Sequence, residues 1–235
     1  MHMRWTLGAA CALALGVSGP VHAQSQSGVV VELFASQGCS ACPPADEFLA
    51  TLVSDPRVIP LALHVDYWDY IGWEDKFGDG HFTARQKAYA RAAGSRTIYT
   101  PQMIVGGIDR VEGTRPEDVA SLIRKHLAAG GRVALKLERA GDILRVWAEA
   151  NPPLDRSVRI QLVRYRPEET VEIEHGENAG RTVTYRNIVT AFDVIGDWGG
   201  QAPLALETRA EGDEPVAVIL QNEGPGAILA AASLR

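Results

Sequence analysis

Hydrophobic residues fall in two rhythms along this chain, and the change comes near Gly130-Gly131. Before it, short apolar runs alternate with helix-period stretches. Gly28 to Ala35, "GVVVELFA", is β-branched and almost continuously apolar, as a strand buried on both faces requires. Pro43-Pro44 followed by Ala45-Asp46-Glu47 predicts a helix start, since the first turn has no use for the missing N–H groups and favours acids. That helix carries Phe48, Leu49, Leu52 and Val53 and stops at Ser54-Asp55-Pro56. "VIPLALHVD" (58–66) predicts a second buried strand, and "FTARQKAYARAAG" (82–94) a helix closed by glycine. Pro101 opens a third strand, "QMIVGG", "DRVEG" makes a fourth, and "RPEDVASLIRKHLAAGG" is an amphipathic helix with a Gly-Gly stop.

After residue 130 the period is two. "RVALKLERAGDILRVWAEA" predicts a hairpin around Ala140-Gly141-Asp142. "SVRIQLVRYR", "TVEIEHG", "RTVTYRNIVTAF", "LALETRA" and "PVAVILQNEGPGAILAAASL" read as further strands separated by turn residues. The first half is therefore ordered β-α-β-α-β-β-α, which predicts a partly parallel sheet covered by helices. The second half predicts an antiparallel β-sandwich.

The amino terminus follows a different pattern. A basic start at Arg4, an apolar stretch from Trp5 to Val17 and "VHA" before Gln24 predict a signal peptide over residues 1–23. The apolar stretch is shorter than the ~20 residues that span a bilayer. The expected organisation is residues 1–23 signal peptide, 24–130 α/β domain and 131–235 β-sandwich, in an exported (periplasmic or secreted) protein with no membrane association after cleavage. The whole chain carries a net charge of −6 and no basic cluster, which argues against nucleic acid or an anionic membrane as partner. The oligomeric state is not encoded in any pattern here.

Removal of residues 1–23 would leave two cysteines, Cys39 and Cys42, in "CSAC" between the first strand and first helix. A bridge across so small a loop restrains the unfolded chain very little, so reactive chemistry is the more economical reading than scaffolding. A dithiol ahead of a helix N-terminus also meets free N–H groups that favour the thiolate. Glu32, inside the apolar first strand, is either a proton relay for Cys42 or an acid that reaches the sheet edge or pairs with an arginine. "HVDYWDYIGWEDKF" places Asp66, Tyr67 and Trp68 at the end of the second strand, on the rim where open α/β sheets bind ligands. Those aromatics either contact substrate or pack beneath the second half. "EHGENAGR" (174–181) has the composition of an exposed hairpin tip.

"VELFASQGCSACPPAD", "HVDYWDYIGW", "FTARQKAYA", "TPQMIVGG" and "GENAGRTVTYRNIV" together resemble an exported bacterial family of undefined function. That family combines a thioredoxin-like domain with a β-rich carboxy-terminal domain. The resemblance implies an α/β thioredoxin-like domain followed by an antiparallel β-sandwich domain. It implies Cys39 as the exposed nucleophile, Cys42 as the resolving thiol, and Pro101 as a cis-proline with Thr100 presenting its backbone to substrate. The implied activity is thiol-disulfide exchange on protein or small-thiol substrates, with no cofactor and no metal. Ser40-Ala41 between the cysteines and the two prolines after them depart from the thioredoxin pattern.

Two alternatives stay open at this point. Cys39, Cys42, His64 and Met103 are soft ligands that would suit Cu(I), although one C-x-x-C supplies only two of the four that zinc needs. The chain is otherwise a non-catalytic binding module whose dithiol stays oxidised.

Overall fold

A computed structural model of the chain describes residues 25–235; the predicted signal peptide lies outside them. The elements in order are β1 (Gln26–Ser27), β2 (Val29–Ala35), α1 (Pro43–Leu52), β3 (Val58–His64), a 3-10 turn (Asp69–Ile71), α2 (Gly80–Ala92), β4 (Gln102–Val105), β5 (Asp109–Glu112) and α3 (Pro116–Ala129). Then follow β6 (Val133–Ala140), β7 (Ile143–Ala150), β8 (Val158–Ile173), β9 (Arg181–Trp198), β10 (Leu204–Arg209), β11 (Val216–Asn222) and β12 (Ile228–Leu234). No helix among the described residues is long and apolar enough to cross a membrane.

The expected fold class is overturned. The molecule is mostly β, 45% strand against 19% helix, and is not an α/β thioredoxin-like domain followed by a separate sandwich. One nine-stranded mixed sheet runs through both halves in the order β1-β12-β11-β8-β9-β3-β2-β4-β5, and a second sheet holds β10-β7-β6. Strand periodicity announces each segment but not its partner, and here the outer edge of β3 takes β9 from the second half, at Ala62 opposite Ile188. Two stretches read as separate strands, 157–166 and 170–176, are one 16-residue strand, β8. Its partner β9 is 18 residues long, so the pair forms a hairpin reaching past the sandwich.

Side-chain alternation along β2 sorts the first half into two faces. Val31, Leu33 and Ala35 pack with Ala45 and Leu49 of α1, Val119 and Ile123 of α3, and both cysteines. Val30 and Phe34 face the other way, against Phe82 and Tyr89 of α2 and against Val163, Tyr165, Val189 and Ile219 of the second half. A further core lies between the two sheets, around Leu137, Leu144, Val146, Ile160, Val218 and Leu220.

The ladder between β3 and β9 is a single residue pair, and a net backbone hydrogen bond stabilises by only about 1 kcal/mol. Buried apolar side chains contribute about 1.5–3 kcal/mol each, so packing around Ile219 and Tyr165 is what holds the halves together. Asn187 adds a polar tie by donating from Nδ2 to the Pro60 carbonyl at 2.8 Å.

A shared core predicts shared unfolding. Urea denaturation followed by far-UV circular dichroism and by tryptophan fluorescence should give one coincident transition. Ile219→Ala, at a fully buried position, should shift that transition as a whole by about 2–5 kcal/mol. Two separated transitions, only one of them moved by Ile219→Ala, would contradict the shared core.

Candidate functional site

The site grows from the end of β2. After Ala35 the chain turns through Ser36-Gln37-Gly38, where the Cys39 N–H donates to the Ser36 carbonyl at 3.1 Å and the Cys42 N–H to the Cys39 carbonyl at 3.1 Å. Cys42 is the N-cap of α1 with no side-chain cap of its own, and Pro43 and Pro44 occupy the first turn. The Cys42 carbonyl accepts from Ala45 and Asp46 at 2.8 and 3.1 Å. Cys39 and Cys42 are joined in a disulfide with Cα atoms 5.4 Å apart. Both are buried, at 2% and 1% exposure, so Cys39 is not the exposed thiol that the sequence resemblance implied.

The Thr100–Pro101 peptide bond is cis. Pro101 sits beside the first turn of α1: Gly113, whose N–H donates to the Pro101 carbonyl, leaves no room for a Cβ between Ala45 and Pro101. Trp68 is half-buried and bridges the site. Its Nε1 donates to Thr100 Oγ1 at 2.7 Å, and its Cβ lies close beneath Gly38. The side chain packs with the cysteine cluster and joins the cysteine loop to the proline loop. Tyr67 instead points toward α2, its hydroxyl donating to Gln86 Oε1 at 3.2 Å. Asp66 accepts from the Thr83 hydroxyl at 2.6 Å and so serves the start of α2.

Glu32 lies on the opposite face of β2 from the cysteines. Arg85 Nε donates to Glu32 Oε1 at 2.6 Å and the Tyr89 hydroxyl to Oε2 at 2.5 Å, which realises the arginine-paired alternative and leaves no path to Cys42. Burial, the Glu32 charge and its hydrogen bond raise the Tyr89 pKa far above its ordinary value.

The acid on the cysteine face is Asp46. It follows Cys42 by four residues, the spacing that stacks side chains on one helix face, and is one of three buried residues of α1. Among the described residues neither a hydrogen bond nor a paired cation reaches its carboxyl. Burial, opposed by His64 and reinforced by Asp75 and Glu47, pushes it up to about 7. Behind it stands a fully buried pair, His64 Nδ1 and Asp75 Oδ2 at 2.7 Å. Asp75 also accepts from the Gln37 N–H at 2.7 Å and the Phe77 N–H at 2.9 Å. Burial alone would lower the imidazole pKa, but the charge and hydrogen bond of Asp75 carry it above its ordinary value. Burial would raise Asp75, and the His64 charge and these hydrogen bonds hold it down.

Three buried polar atoms around this centre have no partner among the described residues: His64 Nε2, Gln37 Nε2 and Asn178 Oδ1. Asn178 comes from the tip of the β8–β9 hairpin. Its Nδ2 donates to the carbonyls of Gln37 and Cys39, both at 2.9 Å. Asp46 was legible as an i+4 neighbour of Cys42; nothing local in the sequence links Asn178 to residue 39. For the copper alternative, Met103 is buried in β4, and no group of three or more His, Cys, Asp or Glu among the described residues is placed to hold a metal ion.

The family profile described as "Protein of unknown function (DUF1223)" matches residues 30–221. Protein AGR_C_4864 from Agrobacterium tumefaciens, known from a crystal structure, is 32% identical, with 88% of this chain and 93% of that one covered at a TM-score of 0.76. HBP35 of Porphyromonas gingivalis has a similar fold at 12% identity and TM-score 0.63, with 88% of this chain and 74% of that one covered. No curated protein matches the chain. The chain belongs to the DUF1223 family, which meets the resemblance to a family of undefined function at that level.

The raised Asp46 pKa sets a pH dependence. In the unfolded chain this carboxyl releases its proton near 3.8 and in the folded chain near 7, so folding keeps a proton that the unfolded state gives up. Its contribution to stability is present below about pH 4 and lost as pH rises through about 7. Asp46→Asn should therefore be more stable than the unsubstituted protein at pH 8, by up to about 4 kcal/mol, and nearly equal at pH 4. Urea titrations of the oxidised proteins at both pH values would measure this. Equal stability at pH 8 would mean that the buried carboxylate carries no ionisation penalty.

Proposed function

We propose that this DUF1223 member is an exported thiol-disulfide oxidoreductase that acts on protein or small-thiol substrates through Cys39 and Cys42. The observation that carries the reading is a disulfide at the N-terminus of α1 with a buried carboxyl, unpaired among the described residues, one turn behind Cys42. An uncompensated acid in an apolar site destabilises the fold, and groups of this kind cluster where proton transfer is needed. The apolar stretch from Trp5 to Val17 supports export.

The step balances as follows. A substrate thiolate attacks Cys39 Sγ, forming a substrate–Cys39 disulfide and breaking the Cys39–Cys42 bond. Cys42 leaves as a thiolate and takes a proton from the neutral Asp46 carboxyl. A second substrate thiolate then attacks the substrate sulfur of the mixed disulfide, which releases oxidised substrate and the Cys39 thiolate. Run in reverse, the Cys39 thiolate attacks a substrate disulfide. Asp46 then accepts the Cys42 proton, so that Cys42 can resolve the intermediate. A carboxyl titrating near neutrality serves both directions. The N-terminal peptide dipoles of α1 favour the thiolate at Cys42, which caps the helix.

Turnover of a disulfide substrate, read by reduction of insulin with glutathione as electron donor, should vanish in Cys39→Ser and in Cys42→Ser. Asp46→Asn should slow resolution of the mixed disulfide at least tenfold at pH 7, visible as accumulation of the substrate–Cys39 adduct by mass spectrometry. An intact protein that exchanges its disulfide with no thiol and turns over no disulfide would overturn the enzyme reading in favour of the binding module.

A further inference from the structure

Neither sulfur is open to attack in this structure, because exchange needs an attacking sulfur in line with the disulfide and both cysteines are buried. Something must move before any thiol reaches Cys39. On one side the loop is closed by the segment that follows β3, where Trp73 Nε1 donates to Gln37 Oε1 at 2.8 Å. On the other side it is closed by the tip of the β8–β9 hairpin. Within the stretch 174–180, Asn178 alone is buried and its neighbours on both sides are exposed.

The contact at this tip is thin. The tip's backbone hydrogen bonds stay within the hairpin, from Ala179 to Gly176, Gly180 to Ile173 and Arg181 to Asn178. Toward the cysteine loop and Trp73 it offers the two bonds from Asn178 Nδ2, the approach of Gly176 to Trp73, and the exposed His175 ring with its centroid 6.3 Å from that of Trp73. Gly176 has φ +78°, and a Cβ there would stand 3.2 Å from the Trp73 Cβ, so the tip lies close against the base of that side chain. The other amide atom, Asn178 Oδ1, is buried with no partner among the described residues, and so is Gln37 Nε2. Neither atom gains from the closed arrangement. The tip can leave without breaking a strand pair.

We infer that Asn178 is a positioning residue for the dithiol, holding the hairpin tip over Cys39 as a latch that must lift before exchange. The inference rests on the exchange reading above. Asn178 acts through the carbonyls of Gln37 and Cys39 and touches no reacting atom. Because it grips backbone atoms on either side of Gly38, and not the sulfurs, it controls access without favouring the oxidised or the reduced form.

That last property separates a latch from a redox-tuning contact. In the full chain, Asn178→Ala should be reduced by dithiothreitol at least tenfold faster than the unsubstituted protein, and reoxidised by oxidised glutathione faster by the same factor. The equilibrium constant with glutathione should stay within twofold. Asn178→Asp keeps the size and loses both donors, so it should behave as Asn178→Ala; Glu177→Ala, at an exposed neighbour, should change nothing. Hydrogen exchange on the unsubstituted protein should show the Asn178 side-chain amide protons, which bond the carbonyls of Gln37 and Cys39, exchanging well before global unfolding, a check that needs no variant to fold. Reduction rates within twofold of the unsubstituted protein for both Asn178 variants would overturn the latch. So would a gain in one direction only, or Asn178 side-chain amide protons that exchange only with global unfolding. Faster reduction and reoxidation in the variants, with no turnover of insulin by any form, would sustain the latch while overturning the enzyme reading.

Discussion

The packing of β9 along the open edge of β3 is the constraint on which this molecule depends. Only one residue pair is in register there, Ala62 with Ile188, yet it fixes where the rest of a very long hairpin goes. One end of β8 and β9 lies in the sandwich beside β11, and the other runs along the helical half to the cysteine loop. Were β9 to end with the sandwich, β3, an apolar strand buried along its whole length here, would present an unpaired edge, which proteins avoid. Closing that edge and carrying Asn178 to Cys39 are the same structural event.

Charge burial is organised by the same sheet. Two ion pairs are buried in the first half on opposite faces, Glu32 with Arg85 on one and His64 with Asp75 on the other. Each is further hydrogen-bonded, Glu32 by Tyr89 and Asp75 by the backbone of Gln37 and Phe77. Desolvated ions need that degree of satisfaction to be tolerated. Asp46 has none of it, and meets His64, Asp75 and the Tyr185 ring only through space. The contrast sets Asp46 apart from the two hydrogen-bonded pairs and is what the proposed proton-transfer role rests on.

Much of the helical half was legible because its signals are local. Apolar runs, proline starts and glycine stops place β2, α1, β3, α2, β4, β5 and α3 within a few residues. The two prolines after Cys42 correctly begin α1 at Pro43. What sequence periodicity lacks is the identity of a strand's partner, and so the single sheet through both halves was read as two separate units. Strand parity leaves the same gap: Glu32 is a strand acid near a C-x-x-C, but whether position 32 shares a face with the cysteines depends on which way the loop after Ala35 turns, so both of its readings stayed open. Asp46 carried a usable signal in its spacing from Cys42, yet as a first-turn acid it also fitted an ordinary helix start. Asn178 carried none, since a polar glycine-containing stretch looks the same whether its tip is solvated or docked 139 residues back along the chain.

That separation also orders events in time during synthesis. The cysteine loop, α1 and the strands beside them leave the ribosome well ahead of residue 178. At ordinary elongation rates the 139 residues between Cys39 and Asn178 take roughly 7–30 s to make. During that interval the two sulfurs, only three residues apart, can pair through purely local chain motion, while the element that will cover them does not yet exist. The redox state in which the loop is first enclosed is thus set by the compartment the nascent chain meets, before the finished fold has any influence on it.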